Sequence, residues 1–87
     1  MSAVVKKKFI SVAASIAELP AKKIMLNDSP YNSNLDSLRL IELLVKLESE
    51  FDIEFEDEEL AIGNYETLND LYLLLESKTE ATNGKKD

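Results

Sequence analysis

The residue of this chain best placed to carry chemistry is Ser37, which follows Asp36 where a polar, loop-like stretch gives way to a strongly helical one. A helix N-terminus leaves backbone amides unpaired and presents the positive end of the helix dipole, a setting that stabilises a phosphate. A serine in that first turn can carry a phosphodiester, and it needs no base of its own when a modifying enzyme supplies the activation. The same two residues also read as a plain N-cap, the Asp36 carboxylate accepting from first-turn amides. Around them the means of catalysis are sparse. The chain has no His and no Cys, so it lacks the usual general base near neutral pH and the readiest nucleophile. A zinc site would have to be built from carboxylates alone. The expectation is a protein that enzymes act upon, not an enzyme, with no metal site.

Charge narrows the partners. Seventeen acids against ten bases give a net charge of −7, and fourteen of those acids with only three bases lie between Asp36 and Glu80. Phosphate contacts need Lys and Arg, so this acidic surface disfavours nucleic acid. It favours partners with basic patches and fast, salt-sensitive encounters. The acid-rich run from Asp52 to Glu59 does not make an EF-hand, because no Gly follows at the sixth position. The stretch beginning at Asn32 fails in the same way, with Ser37 at the Gly position and Leu43 where the terminal Glu belongs. No long apolar run is present to span a membrane, the lysines near Met1 lead no secretory h-region, and the absence of Cys gives no disulfide framework. A cytoplasmic monomer that engages no membrane is expected.

The elements that must position Ser37 follow from periodicity. Val5, Phe9, Val12, Ala13 and Ile16 recur at helical spacing, predicting a helix over Val4 to Leu19 that Pro20 terminates. Pro20 to Asp36 is a long loop punctuated by turn residues; its Ile24, Met25, Leu26, Tyr31 and Leu35 are expected to pack over the core. Ser37 to Phe51 is the strongest helix. Leu40, Leu43, Leu44, Leu47 and Phe51 form its core stripe, and Leu38, Ile41 and Val45 form a second stripe that begins one residue after the serine. Asp52 to Glu56 reads as an extended connector, with Ile53 and Phe55 pointing one way, into a short helical turn around Asp57 to Ile62 that Gly63-Asn64 stops. A last helix starts near Thr67, where Thr67 and Asp70 have capping-box spacing, and buries Leu68, Leu71, Tyr72 and Leu75. The predicted core is Phe9, Val12, Ile16, Leu43, Leu47, Phe51, Leu71 and Leu75. The fold class is all-α, a small four-helix bundle of three main helices plus one short one with a long first loop. Residues 1–78 form the domain and 79–87 a flexible polar tail. The start at Met1 and the polar end fit a stand-alone protein.

The segment Leu35-Asp36-Ser37-Leu38-Arg39-Leu40-Ile41-Glu42-Leu43, continuing through Leu47-Glu48 and Glu50-Phe51, resembles the phosphopantetheine attachment region of acyl carrier proteins. In that family an Asp-Ser-Leu tripeptide opens the second helix and a Glu-Leu pair follows five and six residues after the serine, matched here by Glu42 and Leu43. The acidic run Glu56-Asp57-Glu58-Glu59 resembles the start of the family's short third helix. The order of elements is similar from about Val4 to Ser77. The resemblance implies a covalent 4′-phosphopantetheine on Ser37, attached by a phosphopantetheinyl transferase, with Asp36 capping the helix and contributing to recognition by the transferase. It further implies that acyl or aminoacyl groups are held as thioesters, for fatty-acid, polyketide or non-ribosomal peptide type biosynthesis, and that loading and downstream enzymes are the partners. Leu38, Arg39, Ile41, Glu42, Val45 and Glu48 are the residues expected to meet them.

Two departures bear on this. Asn34 stands near a position that often holds Gly, and Asn tolerates unusual backbone angles better than most residues. Arg39 and Lys46 make the helix less acidic than in general fatty-acid carriers, which brings dedicated secondary-metabolite or aminoacyl carriers into consideration; the Leu-Asp-Ser start is also similar to that of D-alanyl carriers. The alternative from another class is a helical protein–protein interaction module without a prosthetic group, its second apolar stripe serving as a groove or a face for a partner helix.

Overall fold

The computed structural model describes the backbone of residues 2–86 and the side chains of residues 4–80. Helices α1 (Ser2–Ala17), α2 (Ser37–Phe51) and α3 (Leu68–Lys86) carry the fold. The first connection contains 3-10 turns at Ala21–Lys23 and Pro30–Ser33, and the second contains turns at Asp57–Leu60 and Ile62–Asn64. Among the described residues there is no strand. This is the expected small helical bundle, with one change: the short helix expected after α2 is two successive tight turns, separated by the extended backbone of Ala61. Gly63 and Asn64, expected to stop that helix, form part of the second turn, and Gly63 has no positive φ.

Helix α1 ends earlier than Pro20 requires. Glu18 adopts the left-handed conformation at φ 59, its amide donates to Ser15 O and the Leu19 amide to Ala14 O. These are the paired bonds of a Schellman motif, which satisfies carbonyls the helix would otherwise leave open. Asp52 ends α2 in the same conformation, at φ 57, and the Ile53 amide returns to Glu48 O.

The core joins α1, α2 and α3 through Phe9, Leu40, Leu43, Leu44, Leu47, Leu68, Leu71 and Leu75, all fully buried. The Phe9 and Tyr72 rings meet at 5.7 Å in a tilted pair that ties α1 to α3. Ile53 and Phe55 alternate inward from the extended connector, as their spacing predicts. Two predicted core residues, Ile16 and Phe51, are only half-buried. Ile16 lies on the rim of the groove between α1 and α2, and the Lys8 ammonium covers the Phe51 ring at 5.6 Å. In the first connection Ile24, Pro30, Ser33 and Leu35 turn inward, but Met25 and Tyr31 are exposed, contrary to expectation. For Tyr31 the 3-10 turn at Pro30–Ser33 is the reason, since about three residues per turn places Pro30 and Ser33 on one side and Tyr31 on another. At the other end, Thr79 was expected to open the tail; it is helical and buried, its hydroxyl donating to Glu76 O at 2.9 Å. The side chains from 81 onward lie outside the described residues.

Candidate functional site

Ser37 is the first residue of α2, and it is exposed. Asp36 is the N-cap, in extended conformation, with its carboxylate accepting from the Arg39 amide at 2.9 Å while its carbonyl accepts from the Leu40 amide at 2.8 Å. The Ser37 and Leu38 amides, at the first two helical positions, have no intrahelical acceptor. The Ser37 hydroxyl makes no hydrogen bond among the described residues.

The start of α3 is built differently. Its first two amides, Leu68 and Asn69, donate to Asp28 O at 2.9 Å and Leu26 O at 2.8 Å, and the third, Asp70, to Thr67 O at 3.1 Å and Thr67 Oγ1 at 3.3 Å. The Asp70 carboxylate reaches back to the Thr67 amide, completing the capping box that the sequence predicts. The positive end of α3 is thus used up in holding down the long connection. The positive end of α2 is left facing solvent beside a free hydroxyl, and this setting fits a phosphodiester.

The approach to Ser37 is held from the C-terminus of α1. Asn34 is left-handed, at φ 61 and ψ 28, as its place before the helix suggested. Its side-chain amide donates to Ala17 O at 2.7 Å. Arg39, expected to face partners, is half-buried, and its Nη1 donates to Ala17 O at 3.2 Å and Ile16 O at 3.3 Å. Its charge meets the negative end of the α1 dipole. Neither contact was readable from the sequence, because the acceptors are main-chain carbonyls about twenty residues away. The one available signal was Asn34 in a position suited to a left-handed turn.

The second stripe of α2 lies on the surface. Leu38 is 66% exposed, Ile41 39% and Val45 55%, so the first connection does not cover them. Glu42 is exposed beside them. Glu48 is half-buried and its carboxylate accepts from the Phe55 amide at 2.8 Å, which anchors the connector after α2. Further along, the Glu59 carboxylate accepts from the Glu56 amide at 2.8 Å and pairs with Lys78 at 3.1 Å. The Tyr65 hydroxyl donates to Glu59 O at 2.6 Å. Burial alone would raise the Glu59 pKa, but the Glu56 amide and the Lys78 ammonium together outweigh it and hold the carboxyl below the usual carboxylate range. No group of three or more acidic side chains suited to a metal ion occurs among the described residues.

The family described as "Phosphopantetheine attachment site" matches residues 7–75, most of the chain and the whole of α2. The chain belongs to the acyl carrier protein family. An acyl carrier protein homolog of Mycoplasmopsis pulmonis is 35% identical over 69 residues, which cover 79% of this chain and 92% of that protein. An acyl carrier protein of Buchnera aphidicola is 39% identical over 57 residues, covering 63% of this chain and 71% of the relative. No solved structure is a significant match. Members of this family are carrier domains on which a phosphopantetheinyl transferase and biosynthetic enzymes act, and the chain carries a covalently attached 4′-phosphopantetheine. No helix among the described residues is long and apolar enough to cross a membrane.

Proposed function

We propose that Ser37 is the attachment residue, and that the chain carries acyl or aminoacyl intermediates between enzymes on the arm held there. The observation that carries this reading is the contrast between two helix starts. The α3 amides are filled by the chain's own carbonyls, whereas α2 presents open amides beside an exposed hydroxyl that has no partner among the described residues. Ser37 Oγ forms the new bond to phosphorus, its proton passing to a base of the transferase as the pyrophosphate bond of coenzyme A breaks and the adenosine bisphosphate leaves. Asp36 keeps α2 capped at the Arg39 amide throughout, so the Ser37 and Leu38 amides stay aimed at the site of the new phosphodiester. When bound, the arm supplies a terminal thiol that holds its cargo as a thioester.

Partners dock on the exposed stripe. Leu38, Ile41 and Val45 provide apolar area next to the serine, and Glu42 and Glu48 supply charge along its flank. Charges at an interface rim act mainly on association rate and salt sensitivity, and buried apolar anchors act mainly on complex lifetime. The test of the attachment site is intact mass. Wild type and Ser37→Ala are incubated with coenzyme A and a broad-specificity phosphopantetheinyl transferase, and only wild type gains one phosphopantetheinyl group. Modification of the alanine variant would move the site elsewhere.

A further inference from the structure

Two side chains flank the attachment segment and converge on one acceptor. Asn34, three residues before Ser37, and Arg39, two residues after it, both donate to the carbonyl of Ala17, and Arg39 also reaches Ile16 O. The residues between them run from buried Leu35 to exposed Leu38. They form a short bridge with both ends fixed to the last turn of α1. The bridge itself is taut: the Leu35 amide returns to Pro30 O at 2.9 Å and the Leu40 amide to Asp36 O at 2.8 Å. Asn34 reverses the chain in the left-handed region, which Asn adopts more readily than most side chains. A single guanidinium nitrogen, Nη1, donates to two neighbouring carbonyls, and these carbonyls form the negative pole of α1.

We infer that Asn34 and Arg39 are positioning residues for phosphopantetheine transfer, clamping the first turn of α2 and the segment before it to the C-terminus of α1, so that this turn does not fray and Ser37 keeps its helical place beside the docking stripe of the same helix. The inference rests on the reading of Ser37 as the attachment residue. A transferase that docks on Leu38, Ile41 and Val45 receives its nucleophile at a position set by the start of α2, and small displacements of a reacting atom are costly in rate. Loss of the clamp leaves the docking stripe intact, so it slows the chemical step without weakening binding. An Arg39 that contacted the transferase directly would do the reverse and raise KM.

The unmodified chain is tested with coenzyme A and a broad-specificity transferase, well below the melting temperature of each variant. Asn34→Gly removes the side-chain donor but tolerates the left-handed backbone; Arg39→Met keeps the aliphatic stem and removes the charged donor. Each is expected to lower kcat by about tenfold, with KM within about twofold of wild type. Arg39→Lys is expected to recover most of the loss. Amide exchange of the unmodified variants gives an independent reading: Leu35 and Leu40 exchange about tenfold faster while Leu75, in the core of α3, is unchanged. Wild-type kcat in both variants overturns the inference, as does a rise in KM at constant kcat. Equal acceleration at Leu75 also overturns it, by showing a global loss of stability. If Arg39→Met does not fold, Asn34→Gly decides. Modification of Ser37→Ala, or failure of the wild type to be modified, refutes the attachment reading itself and is scored separately by mass.

Discussion

Leu44 and Val45 are neighbours on α2 with opposite surroundings, and their truncation separates core from docking surface. Leu44 is fully buried, whereas Val45 is 55% exposed. Leu44→Ala removes buried methyl groups and leaves a cavity that close-packed helices only partly close, at a cost of about 2–5 kcal/mol. A chain of this length has a total stability of roughly 4–13 kcal/mol at typical per-residue values. A loss near 3 kcal/mol lowers Tm by roughly 12–24 °C in a domain of this size. Val45→Ala removes two methyl groups worth about 0.8 kcal/mol each if fully buried. With less than half of that burial present, the loss is about 0.7 kcal/mol. Exchanging a β-branched residue for Ala in a helix returns about 0.5 kcal/mol, so the net change is close to zero. Thermal and urea unfolding followed by circular dichroism, with transferase kinetics on the same samples, supply the readout. Val45→Ala should melt within about 2 °C of wild type and raise KM for the transferase. If instead it melts as low as Leu44→Ala, the exposed stripe is core and docking must occur elsewhere.

Ile41→Glu, on the same stripe, should leave stability within about 0.5–1 kcal/mol and weaken transferase binding by about 1–3 kcal/mol, measured by unfolding and by titration of the two proteins. Glu18→Gly should raise stability by about 1 kcal/mol, because Glu18 sits at φ 59 where glycine carries no steric penalty; a lower Tm would mean that the Glu18 side chain makes a stabilising contact. Glu59 has a lowered folded-state pKa, so it contributes stability that is fully present above the ordinary carboxylate value and lost as pH falls through the lowered one. Glu59→Gln should therefore be less stable than wild type near pH 7, with the gap closing in acid, as read from urea midpoints across that range. Added salt should stabilise the chain, because Glu54, Glu56, Asp57 and Glu58 crowd one exposed segment; a falling melting point with salt would show that these acids are favourably paired.

The amino-acid sequence by itself determined the helices, their main buried faces and the place of Ser37. These features rest on interactions within about four residues: the Asp36 cap onto Arg39, the Thr67 and Asp70 box, and the Leu40, Leu43, Leu44 and Leu47 stripe. Local spacing is enough to read them, and the motif around Ser37 was enough to read the family. Tertiary structure alone decided where long side chains and loop residues turned. The sequence marks Arg39 as a surface cation, yet packing of α2 against α1 brings the carbonyls of Ile16 and Ala17 within its reach. Met25 and the ring of Tyr31 could have packed inward as Ile24 and Leu35 do, but the loop turns them outward. The filling of the α3 amides by Leu26 and Asp28, which leaves α2 as the open end, likewise depends on the path of the first connection. A helix face follows from a short repeating geometry, whereas contacts across some twenty or forty residues depend on how elements close on one another, and no local pattern encodes that closure.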